Sequence, residues 1–327
     1  RAGFLISCHA IVPHEHKMQP QSGGSPSHFS TISSWRPHAL LTFAFVFLAF
    51  NIIVGRAVHG DVPPVGLSFW RWSIASLLFL PFSYSAVRQQ WRLIIAHWKI
   101  LALTAFVMVL LGNTLVYVGL QSTTALNGGL IAAWRPIIIL VLAWLIFHGT
   151  VARHQWLGIA IAMSGVLLVL ARGDPTVLGK LNFNKGDLWL VASSVGIASY
   201  QVFVARAPKE LDQKALLQVL ITTGAFMVLP VYILESAFDR SVTFDVPTVS
   251  AVLYVAIFPS IIAVYMINAG IFIIGPARAS VYNYLQPLFV AILAVPLLGE
   301  EVHWYHPVAF ALVMVGIMVS SRSRGAS

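Results

Sequence analysis

GLQSTTALNGGLIAAWRPIIILVLAWLIFHGTVARHQWLGIAIAMSGVLLVLA, residues 119–171, is the stretch that decides how the chain is built. It has a counterpart 151 positions later, GIFIIGPARASVYNYLQPLFVAILAVPLLGEEVHWYHPVAFALVMVGIMVSSR, residues 270–322. Gly119 meets Gly270, Pro136 meets Pro287 and Gly165 meets Gly316 without a gap. Between these points Leu142, Ala143, Val151, Ala160 and Met163 meet Leu293, Ala294, Val302, Ala311 and Met314. The aligned Gly and Pro carry the weight, because both residue types mark places where backbone geometry is constrained.

Working outward, the composition names the solvent. The chain has 327 residues, 58% hydrophobic and 9% charged, with a mean hydropathy of +0.82. Soluble domains carry roughly 25% charged residues, so this chain cannot cover a water-facing surface and its medium is lipid. The net charge of +9 does not form a basic patch for nucleic acid; the Lys and Arg fall between apolar runs, as membrane topology requires. One cysteine, Cys8, excludes an intramolecular disulfide and a thiolate metal site of two or more Cys.

Residues 1–36 are polar, and Met18–His28 has the composition of a disordered segment. The first Met is Met18, and one reading takes residues 1–17 as an over-called start, which intact-mass measurement of protein expressed from its native start would decide. Ten apolar spans follow, each near the ~20 residues that cross a hydrocarbon core. They are 38–58, 65–85, 98–119, 125–147, 155–171, 186–206, 215–235, 248–272, 277–297 and 304–321. Short connections predict tight hairpins between spans 3 and 4 and between spans 8 and 9. Residues 172–185, rich in Gly, Asp, Pro, Asn and Lys, read as the linker between a first half, 38–171, and a second, 186–321, with 322–327 as a tail.

With the N-terminus cytoplasmic, thirteen of the twenty Lys and Arg lie on the cytoplasmic side. Five lie opposite (Arg56, Arg172, Lys180, Lys185 and Arg240), while Arg71 and Arg135 lie within spans. The bias places both termini inside. Five spans per half is an odd number, so two similar halves insert in opposite orientations. The expected fold is therefore an all-α integral membrane protein of ten transmembrane helices as two inverted five-helix repeats, an arrangement suited to alternating access. The repeat reaches the first helices, where Asn51 and Arg56 match Gln201 and Arg206 at an offset of 150, and the second helices, where Pro81 and Pro230 match at 149.

These residues resemble the EamA family of the drug/metabolite transporter superfamily over about 38–321, as two units. Asn51-Ile52-Ile53-Val54-Gly55-Arg56 is similar to the first-helix pattern of the family, with Leu48-Ala49 in place of the usual Trp-Gly. Trp70-Arg71-Trp72, Trp134-Arg135-Pro136 and Gln155-Trp156-Leu157-Gly158 with Gly165 follow in family order. Leu285-Gln286-Pro287, Leu298-Gly299-Glu300 and Gly316 repeat the pattern, while Phe147-His148-Gly149 departs from it. The resemblance implies a secondary carrier for a small organic metabolite, such as an amino acid or related solute. It also implies export, and the inner (plasma) membrane of a bacterium.

Polar groups at membrane depth are costly and usually face a cavity or a partner. Arg71 reads either as a cavity cation for an anionic group or as a snorkelling side chain stacked on Trp. Arg135 and its counterpart Gln286 precede Pro136 and Pro287, the candidate helix breaks or hinges. They read as cavity groups, or as packing groups satisfied by the carbonyls that proline frees. Asn51, Asn113, Tyr117, Gln201, Asn268, Tyr282 and Asn283 complete the cavity candidates. Their alternative role is inter-helix hydrogen bonding, worth about 0.6 kcal/mol on average. At helical spacing Tyr282 and Gln286 share a face, as do Asn113 and Tyr117, with Asn283 on the neighbouring face. Gly128-Gly129 and Ala279-Ser280 are aligned small pairs for packing or gating, and Asn127 and Gln121 add neutral polar groups. Glu300 and Glu301 read as a surface pair, and no Asp or Glu lies at mid-span.

No phosphate-binding loop, nucleophile elbow or zinc-protease motif occurs, which argues against an ATP-driven pump or a hydrolase. No cofactor and no metal site is expected; the expected partners are the bilayer and a small solute. Two other classes stay open at this point: a membrane-embedded enzyme on a lipid-linked substrate, and a non-transporting membrane scaffold.

Overall fold

The structure, a computed structural model, describes residues 35–57, 62–122, 131–132, 134–147, 152–171, 173–174, 176, 185–238, 241–298 and 304–321. Among the described residues it is helical, without strands. Outside them lie Asn127, the Gly128-Gly129 pair, the spans 3–4 hairpin, His148-Gly149, Glu300 and Glu301. So do nearly all of the polar N-terminal segment, the 322–327 tail and most of the linker.

We label the helices α1 (Arg36–Ala57), α2 (Pro64–Gln89), α3 (Trp98–Leu120), α4 (Arg135–Phe147) and α5 (Arg153–Leu170). The second half holds α6 (Lys185–Arg206), α7 (Gln213–Phe238), α8 (Val246–Ile274), α9 (Pro276–Ala279, Ser280–Tyr284 and Leu285–Leu298 in succession) and α10 (Tyr305–Ser321). Their bounds lie within a few residues of the predicted spans except at the start of α4, described from Arg135 where the predicted span begins at 125; residues 123–130 lie outside the described residues. Lipid offers the backbone no hydrogen-bond partner, so an apolar run of this length closes its bonds internally as a helix. Among the described residues six helices, α1, α2, α3, α6, α7 and α8, are long and apolar enough to cross a membrane. The expectation was ten. α4, at 13 residues, rises only about 20 Å at 1.5 Å per residue, below the ~30 Å core. Large apolar side chains point outward along the bundle, among them Leu77, Phe82, Leu188, Phe226 and Phe238. In water such a surface would aggregate; in a bilayer it is the solvated face.

The helix pairs recur when the halves are exchanged. α1 packs on α8 and α9, as α6 packs on α3 and α4; α2 pairs with α7, and α5 with α10. The α5–α10 contact is made by glycine. A Cβ on Gly158 would lie 2.6 Å from the Gly316 carbonyl oxygen, and one on Gly165 would lie 2.8 Å from the Ala309 carbonyl oxygen. Gly158 and Ala309 are repeat counterparts, as are Gly165 and Gly316, so the two contacts are one contact seen from either half. Small residues of this kind let helix backbones approach where no hydrophobic effect drives them together.

α3 and α8 each open into a π-helical stretch at the same repeat position, Phe106–Thr114 and Ala256–Ala263. Hydroxyls support both: Thr114 Oγ1 donates to the Val109 carbonyl at 3.0 Å and Ser260 Oγ to the Val255 carbonyl at 2.6 Å, each five residues back. In α8 Pro259 also removes a backbone donor. Wide turns of this kind are frequent at functional sites. Between α8 and α9 only Gly275 intervenes, at φ 81°, which a residue with a Cβ adopts at a cost. The predicted tight hairpin there is present.

The α2–α7 pair is fastened at both ends. The Glu235 carboxylate, near the end of α7, accepts from the backbone N–H of Val65 at 3.0 Å and of Gly66 at 2.6 Å, in the first turn of α2. These donors have no intrahelical partner, and the negative charge suits the helix N-terminus. At the other end the Gln90 side chain, just past α2, accepts from the Asp212 N–H at 2.7 Å and donates to the Glu210 carbonyl at 2.8 Å, where α7 begins. Midway, Ser76 and Thr222 bond at 2.7 Å and Ser83 donates to Gln218 at 2.9 Å.

Candidate functional site

At the meeting of α1, α3, α4, α6, α8 and α9 lies a cavity of about 70 Å³. Seven of the ten sequence-predicted side chains line it: Asn51, Asn113, Tyr117, Arg135, Gln201, Asn283 and Gln286. Apolar residues fill the intervals, including Phe45, Leu48, Met108 and Ile267. The cavity is well below the 300–1,000 Å³ typical of organic-ligand sites. It holds a few waters at most as it stands, so an organic solute must spread the wall helices to enter.

Asn113 Nδ2 donates within its own helix, to the Met108 carbonyl at 2.8 Å; the other six predicted lining groups are tied to another helix. Arg135 Nη1 donates to Gln286 Oε1 at 3.1 Å, which joins repeat counterparts directly across the centre. Arg135 Nε donates to Ser194 Oγ on α6 at 3.3 Å, and Gln286 Nε2 to the Leu48 carbonyl on α1 at 3.2 Å. These are side-chain partners for the arginine, in place of the proline-freed carbonyls considered from sequence. Gln201 and Asn283 exchange hydrogen bonds, Nε2 to Oδ1 at 3.1 Å and Nδ2 to Oε1 at 3.2 Å. Tyr117 donates to Asn51 Oδ1 at 2.9 Å, linking α3 to α1. Tyr200 donates to Asn268 Oδ1, linking α6 to α8 in the same way with the residue types exchanged.

Pro136 is the second residue of α4, next to the turn at Trp134, and Pro287 is the third residue of the α-helical part of α9. Immediately before that part, Ser280–Tyr284 is 3₁₀-helical. The tighter winding changes which side chains share a face. A 3₁₀-helix eclipses residues three apart, so Asn283 and Gln286 both reach the cavity. Tyr282, expected to share the face of Gln286, is buried against α1, where it bonds His38.

Two further predicted residues stand behind the wall. Asn268 is fully buried beneath Tyr200. Arg71 is 1% exposed, so it does not snorkel. Its Nε donates to Ser260 Oγ and its Nη1 to the Tyr117 hydroxyl, both at 2.6 Å, and its guanidinium carbon sits 4.5 Å from the Trp72 ring centroid. The chain Ser260–Arg71–Tyr117–Asn51 thus runs from α8 through α2 and α3 to α1. Tyr200, Ser194 and Ser260 were not singled out as site residues from sequence. Tyr200 adjoins Gln201, the aligned partner of Asn51, and that adjacency was the available signal; the two serines carry none.

Tyr117→Phe tests the network. It leaves Arg71 Nη1 and Asn51 Oδ1 without their shared partner in a buried site. The expected loss is about 1–3 kcal/mol of stability, read as a lowered midpoint in thermal or denaturant unfolding of the purified protein.

Comparison with known proteins decides the family. The family model described as "EamA-like transporter family" matches twice, at residues 35–171 and 184–322. The chain belongs to this family. It is a membrane transporter and not an enzyme. The Bacillus subtilis protein "Uncharacterized transporter YyaM" is 25% identical over 290 residues, covering 86% of this chain and 94% of its own. An "Uncharacterized transporter" of Archaeoglobus fulgidus is 23% identical over 291 residues, covering 88% of this chain and 97% of its own. The "Protein WALLS ARE THIN 1" of Arabidopsis thaliana is 24% identical over 321 residues, covering 85% and 80% respectively. A solved crystal structure superposes with a TM-score of 0.69 at 19% identity, over 86% of this chain and 95% of that one, which establishes a shared fold.

Proposed function

We propose that this EamA-family transporter is a secondary carrier that moves a small organic metabolite, such as an amino acid or related solute, by alternating access. In this reading ten helices cross the bilayer as two inverted five-helix repeats, with both termini cytoplasmic, in the plasma membrane of a bacterial cell, and the direction is export. The observation that carries it is the direct Arg135–Gln286 bond, in which equivalent positions of the two halves meet at the wall of the cavity. Two states related by exchange of equivalent halves are what alternating access needs.

The exchange-symmetric helix pairing supports the same reading, and so does the small cavity. A contracted site enclosed by side-chain bonds between halves must open toward one face at a time. Asn51, Asn113, Tyr117, Arg135, Gln201, Asn283 and Gln286 are the solute contacts in this proposal. Arg71, Asn268 and Tyr282 hold those contacts in place, and Pro136 and Pro287 mark where α4 and α9 bend.

A flux screen in proteoliposomes over amino acids, small organic acids and sugars tests the carrier. Saturable flux of at least one solute is expected. A monodisperse, reconstituted sample with no saturable flux for any of them would leave a scaffold as the better description.

A further inference from the structure

We infer that the cargo is a net anion carrying a carboxylate, rather than a zwitterion or a cation. The inference rests on the carrier reading above and, among its small organic metabolites, assigns organic acids in place of zwitterionic amino acids. Two guanidinium groups lie at the site: Arg135, 8% exposed, on the cavity wall, and Arg71, 1% exposed, one hydrogen bond behind it through Tyr117. An arginine does not escape burial by losing its proton, so both charges are permanent. Each is bonded to neutral groups: Ser194 and Gln286 for Arg135, Ser260 and Tyr117 for Arg71. Arg71 Nη2 is buried and has no hydrogen-bond partner.

Among the described residues no acid is offered to them at that depth. Between Asp61 and Asp174 there is no Asp or Glu at all. Within the described helices only Asp187 and Glu235 occur, each within about a turn of a helix end. Glu235 is already engaged with the N-terminus of α2. A buried charge without a counter-charge is costly, and inside a low-dielectric wall its field is strong. The counter-charge must come with the solute. A carboxylate pairs with Arg135 on the wall, where a guanidinium offers bidentate geometry, and is attracted by the charge of Arg71 behind it. An ammonium is repelled by the same two charges and finds only neutral oxygens such as Asn51 Oδ1, so a zwitterion forfeits at one end what it gains at the other.

The test uses the full-length purified protein and its proteoliposomes, at constant ionic strength. The probes are potassium benzoate and potassium succinate against L-alanine, glucose and choline chloride. Thermal stabilisation reads binding and counterflow reads transport. The carboxylates should stabilise and exchange; their apparent affinity should fall at least tenfold in Arg135→Gln and recover in Arg135→Lys. Arg71→Lys, which keeps the charge should Arg71→Gln fail to fold, should retain carboxylate preference. Binding and exchange of alanine, glucose or choline without response to carboxylates overturns the anion inference and leaves the carrier standing. Arginine-dependent carboxylate binding with no counterflow of any probe keeps the anion site and removes the carrier. No binding of either carboxylate, or carboxylate binding unchanged in Arg135→Gln, overturns the inference.

Discussion

Arg135→Ala is expected to lower solute flux by about 100-fold while the protein remains folded and monodisperse. The side chain joins the two halves through Gln286 and joins α4 to α6 through Ser194. Truncating one partner of a buried, charge-assisted bond costs on the order of 2–5 kcal/mol, and 1.4 kcal/mol is a tenfold change. The bundle loses little else, because α4 also packs through Ile139 and Leu140, both fully buried. Gln286→Ala should lower flux in the same direction, and less, since the cation stays. In a double-mutant cycle the two losses should fall short of adding, as expected for residues in contact. Radiolabelled or fluorescent flux in proteoliposomes, read beside size-exclusion profiles, checks both. Wild-type flux in both variants would remove these residues from the solute path.

Gly158→Leu should have the largest structural effect. The Cβ alone would meet the Gly316 carbonyl oxygen and the Ser320 Cβ, both at 2.6 Å. Both are backbone-anchored atoms on α10, so α5 and α10 must separate. Overpacking commonly costs about 1–3 kcal/mol, and a leucine against backbone belongs at the top of that range. Gly316→Leu attacks the same contact from the other helix and should behave alike. The measurement is the melting midpoint of purified protein together with membrane yield. Wild-type behaviour in both variants would mean that the close α5–α10 approach is not needed for the fold.

Much of this architecture was legible beforehand. Apart from the start of α4, the described helix ends follow the predicted spans because lipid leaves a long apolar run one way to satisfy its backbone. Pro136 and Pro287, with the glycines around them, exposed the repeat because few other residues serve where helices bend or touch. Of the cavity candidates, Asn51, Gln201, Arg135 and Gln286 were found by a single device, the matching of polar positions between halves. That device works because the groups meet near the element that relates the halves.

What stayed hidden was decided by local winding and by neighbours far along the chain. Ideal helical spacing put Tyr282 beside Gln286, but the 3₁₀ stretch Ser280–Tyr284 turned Asn283 inward and left Tyr282 against α1. Nothing in the sequence pairs Glu235 with α2; the fold makes it the cap of that helix, 170 residues earlier in the chain. Arg71 read either as a cavity cation or as a snorkelling one, and only the packing of α2, α3 and α8 places it behind Tyr117 with one nitrogen unpartnered. Composition and period, which act residue by residue, determined the solvent, the helices and the duplication. The identity of each polar partner required the bundle, because a hydrogen bond between helices depends on register and crossing geometry that no single segment contains.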